Sequence, residues 1–498
     1  MNISKKSIKG GYTFRGFQGE PGARVYSCKS PGNVTVLLKQ GFGEEVPSLV
    51  KVQDSVQKGQ IIGRSDDTVS NPVHSPLTGQ VEMIKKINLP SGPVKAVCIS
   101  GDAGIKEITL PGYSLNWQNL SDEKIEELIY LSGAGAGGTC GIPTRFKSSL
   151  INPEDVDDII VSHIAADVFN LPPDVLLGGE GLSQFTGGLA ILKKIMPAAR
   201  LHLVMDKSGL QWLNQTASQA AGLSLNLHMI EAKYPAQLDQ ILIPAILNKS
   251  FPHGYSAAHI GVISLDIQDL LHVYNAVALG QPVLERTVAL SGPGLTENGS
   301  CRVLIGTSLE EITRDRTVQG KQLRFIFNSP LLGEPAEDLT LPVSRNCSQI
   351  ISLEHNTEGE IFGFARPGFR KDSLSNTFLA KLLPFKKTVD TNLHGEKRAC
   401  LSCGNCSDVC PSRILPQLLH KYVQKNIIEE SMVQYRIGSC IECNLCTYVC
   451  TSKIDLAELI RKGKTALKKE GYDIHADLNK GVQFKVPPGG SDAGRENI

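Results

Sequence analysis

At 498 residues the chain exceeds what one hydrophobic core can organise, and about three or four domains are expected. Its 51 basic residues balance 50 acidic ones, so no basic face for nucleic acid is implied. No apolar run approaches the ~20 residues that cross a bilayer, and the opening MNISKKSIKGGYTFRGFQGE lacks the apolar core of an export signal, so membrane attachment is expected only through partners.

From about residue 30 to 110, short β-branched runs are broken by Gly, Pro, Asn and Asp: VTVLLKQG, VQKGQIIG, GQVEMIKKI and VKAVCIS. Residues 51–63 and 73–81 resemble the two halves of a biotinyl or lipoyl barrel-sandwich domain. The interval where such carriers hold their lysine is Ser65-Asp66-Asp67-Thr68, which implies a docking or structural module instead. From about 120 to 285 the pattern turns to helix and strand in alternation. Helices are expected at SDEKIEELIYL, GGLAILKKIM, QLDQILIPAIL and DLLHVYNAVALG, and strands at DDIIVSHI, RLHLVMD and LSLNLHMI, which together imply a parallel sheet. Within this region lies Ser132-Gly-Ala-Gly-Ala-Gly-Gly-Thr-Cys140-Gly141-Ile-Pro143-Thr144-Arg-Phe-Lys147. A glycine loop can bring backbone N–H groups to a phosphate, but this one follows a helix where a dinucleotide fold has a strand. A flexible linker and a nucleotide or flavin loop are both open. His163, at the end of the first strand, reads as an ordinary core or surface histidine before a proton-transfer group.

Short β runs return at ERTVALSG, CRVLIGT, QLRFIFN and QIISLEH, followed by a polar linker at 388–397. Then come two cysteine arrays, Cys400-x2-Cys403-x2-Cys406-x3-Cys410-Pro411 and Cys440-x2-Cys443-x2-Cys446-x3-Cys450-Thr451. Three thiolates two residues apart can wrap one face of a four-iron cube while the fourth reaches the other cluster. The expected ligand sets are therefore Cys400, Cys403, Cys406 with Cys450, and Cys440, Cys443, Cys446 with Cys410. Structural zinc also uses C-x2-C pairs, but two identical four-cysteine runs are unusual for it. Thr451 stands where the first run has proline. Between the arrays, ILPQLLHKYVQKNIIEESMVQYRIG reads as two helices. The other five cysteines, Cys28, Cys98, Cys140, Cys301 and Cys347, read as small buried hydrophobes. The group Lys462, Lys464, Lys468 and Lys469 reads as a solvated face, and PPGGSDAGRENI as a disordered tail.

The segments CIECNLCTYVCTSKIDLAELIRKGK, AKYPAQLDQILIPAIL, NAVALGQPVLERTVALSGPGL and GIPTRFK resemble the C subunit of the Rnf ion-translocating electron transport complex. GEIFGFARPGFRKDSLSNTFL resembles the A subunit of the sodium-translocating NADH:quinone reductase. The resemblance implies a multidomain α/β plus β chain. Its parts would be a barrel-sandwich hybrid (1–110), a complex-I-flavoprotein-like α/β domain (111–285), a soluble-ligand-binding β-grasp-like domain (286–384), an alpha-helical two-cluster ferredoxin domain (385–472) and a tail (473–498). It implies two [4Fe–4S] clusters and, at the glycine loop, FMN reduced by NADH, with Gly138, Gly141, Pro143, Thr144 and Lys147 matching the family's loop. In IIVSHIAADVFN the family's two acidic positions fall on Ala165 and Asp167, so one acid of two is present, and Val168 stands at its proline. The implied partners are integral-membrane and flavin subunits of an ion-translocating oxidoreductase, on the cytoplasmic side of the inner membrane. The competing expectation is a scaffold α/β domain whose neighbouring clusters connect partner subunits.

Overall fold

The computed structural model describes residues 3–26, 28–101, 107–252, 254–355, 372, 374, 386–389, 398–475 and 482–486. The 388–397 linker, the stretch 359–379 and the terminal PPGGSDAGRENI fall wholly or mostly outside them. Among the described residues no helix is long and apolar enough to cross a membrane.

Four β-branched runs make the barrel sandwich. Asn33–Leu37, Gly92–Gly101, Gly79–Leu89 and Ser55–Val56 form one sheet in that order, and Ile61–Gly63 pairs with Val73–His74 in a second. Alternate residues such as Val34, Val36, Val81, Val97 and Ile99 point into a shared core. The lysine-free tip docks on the α/β domain: Tyr130 donates to the Ser65 carbonyl at 3.1 Å and Arg64 lies over the Tyr130 ring.

The α/β domain is a five-stranded, wholly parallel sheet. Its order is Ser4–Lys6, Leu225–Ile230, Arg200–Met205, Asp158–His163, Val262–Leu265. Both faces of the inner strands are covered, so Asp158–His163, Arg200–Met205 and Val262–Leu265 read as largely apolar runs. Ile159, Val161, Leu201 and Leu203 pack under the helices Asp122–Ser132, Gly181–Ile195, Leu210–Gln219 and Ile267–Leu279, while Ile160, Val204 and Val262 face the helix Asp239–Leu247. The Ser121 hydroxyl caps the 122–132 helix by accepting from the Lys124 N–H, and Gly133, at φ 77°, ends it. Two strands lie beyond the sequence reading. One is the N-terminal Ser4–Lys6, and the other is Val262–Leu265, four residues that a helix follows almost immediately.

A six-stranded mixed sheet follows, in the order Pro335–Ala336, Leu323–Phe327, Gln349–Glu354, Glu285–Ser291, Gly299–Leu304, Val25–Tyr26. The first 26 residues thus serve other parts of the molecule than the barrel sandwich. They give an edge strand to one sheet, touch the cysteine region where the Gly11 N–H donates to the Val409 carbonyl at 2.7 Å, and give an edge strand to the second sheet. The cysteine region is helical: Asn405–Asp408, Pro416–Gln424, Ser431–Gln434, Leu445–Tyr448 and Leu456–Lys469. The second and third of these are the two helices expected between the arrays.

Candidate iron–sulfur centre and adjoining cavity

The two cysteine runs repeat one backbone conformation forty residues apart. Ser402 and Glu442 (φ 53° and 58°), Gly404 and Asn444 (83° and 61°), and Arg413 and Lys453 (55° and 56°) take the same left-handed turns at matching places. Each run turns back on its own first thiol, since the N–H groups of Ser402 and Glu442 donate to the Cys400 and Cys440 sulfurs at 3.4 Å. Each then enters a four-residue helix that carries its third cysteine.

The fourth cysteines cross over. Cys410 lines one small enclosed cavity together with Cys440, Cys443 and Cys446, walled by Ile414, Leu445 and Ile460. In mirror fashion the Cys406 thiol is raised to about 11 by burial and then by the charges of Cys450, Cys403 and Cys400. Burial, then Cys440 and Cys410, raise Cys443 to about 12. Four thiolates therefore share either space only beside compensating positive charge, which a four-iron cube supplies. The donor set fits two [4Fe–4S] clusters. Lys464 belongs to this centre and not to a solvated face: it is buried and donates to the Cys440 carbonyl at 2.6 Å and to Glu442 at 2.7 Å. Thr451 stands at the place of Pro411, its carbonyl accepting from Arg398 at 3.1 Å.

A second cavity, of about 420 Å³, opens at the C-terminal ends of the 158–163 and 262–265 strands. In a parallel sheet this crevice, where successive crossovers run to opposite sides, is the usual ligand position. Of the five residues anticipated for a flavin, Gly138 and Asp167 line it, as does His163. Gly141, Thr144 and Lys147 do not. A Cβ at Gly141, φ 73°, would stand 2.3 Å from the Ser148 carbonyl oxygen, so this glycine serves close packing. The Thr144 hydroxyl bonds the Ser148 hydroxyl at 2.7 Å, and exposed Lys147 reaches the Asp67 carbonyl of the barrel-sandwich tip.

The glycine loop meets carboxylates. The Gly138 N–H donates to Asp269 at 3.0 Å, and the Thr139 hydroxyl donates to Asp239. Asp266 and Asp269 cap the 267–279 helix by exchanging backbone bonds, and Arg286 pairs with Asp266 at 2.7 Å and with Asp269 at 3.7 Å. Burial and the adjacent Asp266 push Asp269 up to about 7. Against the cost of burial, Arg286 holds Asp266 below the usual carboxylate range. Burial also raises Asp239, and it lifts Asp167 to about 6 although Ser329 donates to it at 2.5 Å. Burial, then Arg286, depress His272 to about 3, and burial lowers His163, whose Nε2 has no partner among the described residues. A phosphate at this loop would displace Asp269 and sit among further carboxylates, so the residues present do not fit the phosphate of a flavin mononucleotide here.

Asp239, Asp266, Asp269, Arg286 and Arg345 reach the cavity without having been anticipated. The D-x-x-D following the apolar run VISL was the available signal for the acidic pair, a strand end leading into a capped helix. For Arg345 there was none. It is buried, donates to the Gly133 and Pro72 carbonyls at 3.2 and 2.8 Å, and is lowered to about 9 by burial.

The RnfC barrel sandwich hybrid domain matches residues 10–104, and the 4Fe-4S dicluster domain matches 393–451. The chain is 24% identical to the C subunit of the ion-translocating oxidoreductase complex of Buchnera aphidicola, over 88% of this chain and 85% of that one. It is 25% identical to the A subunit of the Na(+)-translocating NADH-quinone reductase of Haemophilus influenzae, over 91% and 97%. To the C subunit of the proton-translocating ferredoxin:NAD(+) oxidoreductase complex of Clostridium ljungdahlii it is 23% identical, over 82% of each. Among solved structures, NAD+-reducing [NiFe]-hydrogenase in the H2-reduced state matches at 12% identity with a TM-score of 0.41, covering 72% of this chain and 64% of that one.

Fold and cysteine centre together define a multidomain iron–sulfur protein with a barrel-sandwich hybrid and a dicluster domain. Within that class, the chain resembles the Rnf C subunit and the A subunit of sodium-translocating NADH:quinone reductase, in a form with two four-cysteine arrays.

Proposed function

We propose that this chain is the electron-transfer subunit of a membrane-associated, ion-translocating oxidoreductase complex of the Rnf or sodium-pumping NADH:quinone reductase type. It would pass electrons one at a time through two [4Fe–4S] clusters. One cluster is held by Cys400, Cys403, Cys406 and Cys450, the other by Cys440, Cys443, Cys446 and Cys410. Each cluster supplies a low-potential one-electron site. The chain's own part is to hold thiolates in apolar walls, to donate backbone N–H groups to sulfur and to keep water from the Cys443 side. The observation that carries the reading is the repeated run with its crossed fourth cysteine.

The parts fall at about 1–110, 111–285, 286–384 and 385–472, with the first 26 residues shared among them. The mixed sheet supports a β-grasp-like reading. An antiparallel strand pair lies on each side of the short helix Leu309–Thr313 in sequence, and the inner strands of the two pairs, Glu285–Ser291 and Gln349–Glu354, run parallel. The partners are membrane and flavin subunits, the setting is the cytoplasmic face of the inner membrane, and the complex acts as an NADH:acceptor oxidoreductase. Within it the α/β domain is a scaffold whose flavin-type loop is closed by Asp269. Gly138 and Asp167 on one cavity support the other reading, FMN and NADH bound there, but Asp269 weighs against it.

Anaerobically purified protein is expected to hold about eight irons and eight acid-labile sulfides per chain. Two tightly bound zinc ions without labile sulfide would overturn the proposal.

A further inference from the structure

The two sets of thiols stand differently toward the rest of the molecule. Tyr234 is fully buried between the α/β domain and the cysteine region, and its hydroxyl donates to the Cys443 carbonyl at 2.8 Å. Its ring is held from behind, because Tyr12 and Tyr234 exchange both backbone hydrogen bonds, at 2.8 and 2.9 Å. Gln237, Leu238 and Asp239, just downstream, line the 420 Å³ cavity. So does Asp167. A second tie runs beside it: Asn444 donates to the Leu331 carbonyl at 2.5 Å, and Leu332 and Ser329 belong to the cavity wall. At the other array Cys403 is exposed and Leu401 is 63% exposed.

We infer that Tyr234 is a positioning residue for electron transfer, coupling the cavity wall to the cluster held by Cys410, Cys440, Cys443 and Cys446. That cluster is the inner station of the wire. The one held by Cys400, Cys403, Cys406 and Cys450 is the outer station, open to a partner's redox centre. The inference rests on the two-cluster reading above. Physically, a hydroxyl that donates toward the cluster loop places the positive end of its dipole beside the added electron, and in a water-poor site such a dipole is weakly screened. Tyr234→Phe keeps the ring and removes only that dipole.

The test is an anaerobic redox titration of the full chain followed by electron paramagnetic resonance. Cys403→Ser identifies the outer signal, whether by altering it or by abolishing it. Tyr234→Phe is expected to keep its iron and to move the inner midpoint potential downward while the outer one stays in place. No shift, an equal shift in both, or a shift in the outer cluster alone would overturn the inference. Should Tyr234→Phe fail to fold, Asn444→Gly takes its place. It suits the left-handed backbone at that position and cuts the second tie, and its signal must also change at the inner cluster alone. Wild-type protein without iron or sulfide would instead bring down the two-cluster reading itself.

Discussion

In the cysteine region all eight thiols lie between Cys400 and Cys450 on a repeated local turn, whereas the cavity of the α/β domain gathers Gly138, Asp167, Asp239, Asp269, Arg286 and Arg345 from distant parts of the chain. The first arrangement takes from the rest of the fold apolar walls and the ties through Tyr234 and Leu331. The second exists only because a parallel sheet brings loop after loop to one edge. Spacing therefore carries the meaning in one region and topology in the other. Substitutions should behave accordingly, local and selective among the cysteines, structural and diffuse around the glycine loop.

The largest effect is expected at the crossing cysteine. Cys410→Ala should lower iron from about eight to about four per chain, or leave an altered cluster, while sparing the signal of the Cys400 array. Resonance showing that the Cys400 cluster alone is altered would contradict the crossed ligand sets and remove the contrast with the cavity, since each run would then serve only itself.

Gly141 probes the other region. By its resemblance the loop 138–147 reads as a contact surface for a cofactor, but Gly141 sits at φ 73° with Ser148 and Phe42 pressed against it. Gly141→Val is expected to destabilise the α/β domain by about 3 kcal/mol or more, whether or not flavin is present. Both tryptophans, Trp117 and Trp212, lie in this domain, so urea unfolding followed by intrinsic fluorescence reads it directly. Iron content should be retained. A variant as stable as wild type would return the loop to the role of a binding surface.

What was readable in the chain follows the same division. The helices at 122–132 and 267–279 declared themselves through apolar periodicity and caps, and the two cysteine arrays through a repeated spacing. Val262–Leu265 escaped because four apolar residues do not distinguish a strand from the start of the following helix. With that strand went Asp266 and Asp269. Ser4–Lys6 escaped for a different reason: two lysines in three residues carry no apolar alternation, and pairing with Leu225–Ile230 alone makes them a strand. Gly138 and Asp167, named by family pattern, line one cavity, but nothing local announced that an internal carboxylate would meet the loop.

That carboxylate sets the smallest effect, and the one that decides how far the two regions differ. Asp269 accepts the Gly138 N–H and sits beside Arg286, the contacts a phosphate would use. Wild-type protein is therefore expected to leave FMN fluorescence unquenched at micromolar concentrations. Asp269→Ala removes the carboxylate and opens the N–H and the guanidinium together, at a cost of about 1 kcal/mol for the lost helix cap. Weak quenching should appear, because Asp266 still claims Arg286 and Asp239 remains nearby. Asp269→Asn keeps the shape and an acceptor oxygen, so it should bind no better than wild type. If all three quench alike, the plug is no barrier and the α/β domain is a flavin site after all. If Asn and Ala gain binding equally, charge and not occupancy keeps the loop closed. Binding by the Ala variant alone would show that the loop retains the geometry of an anion site, with Asp269 filling it.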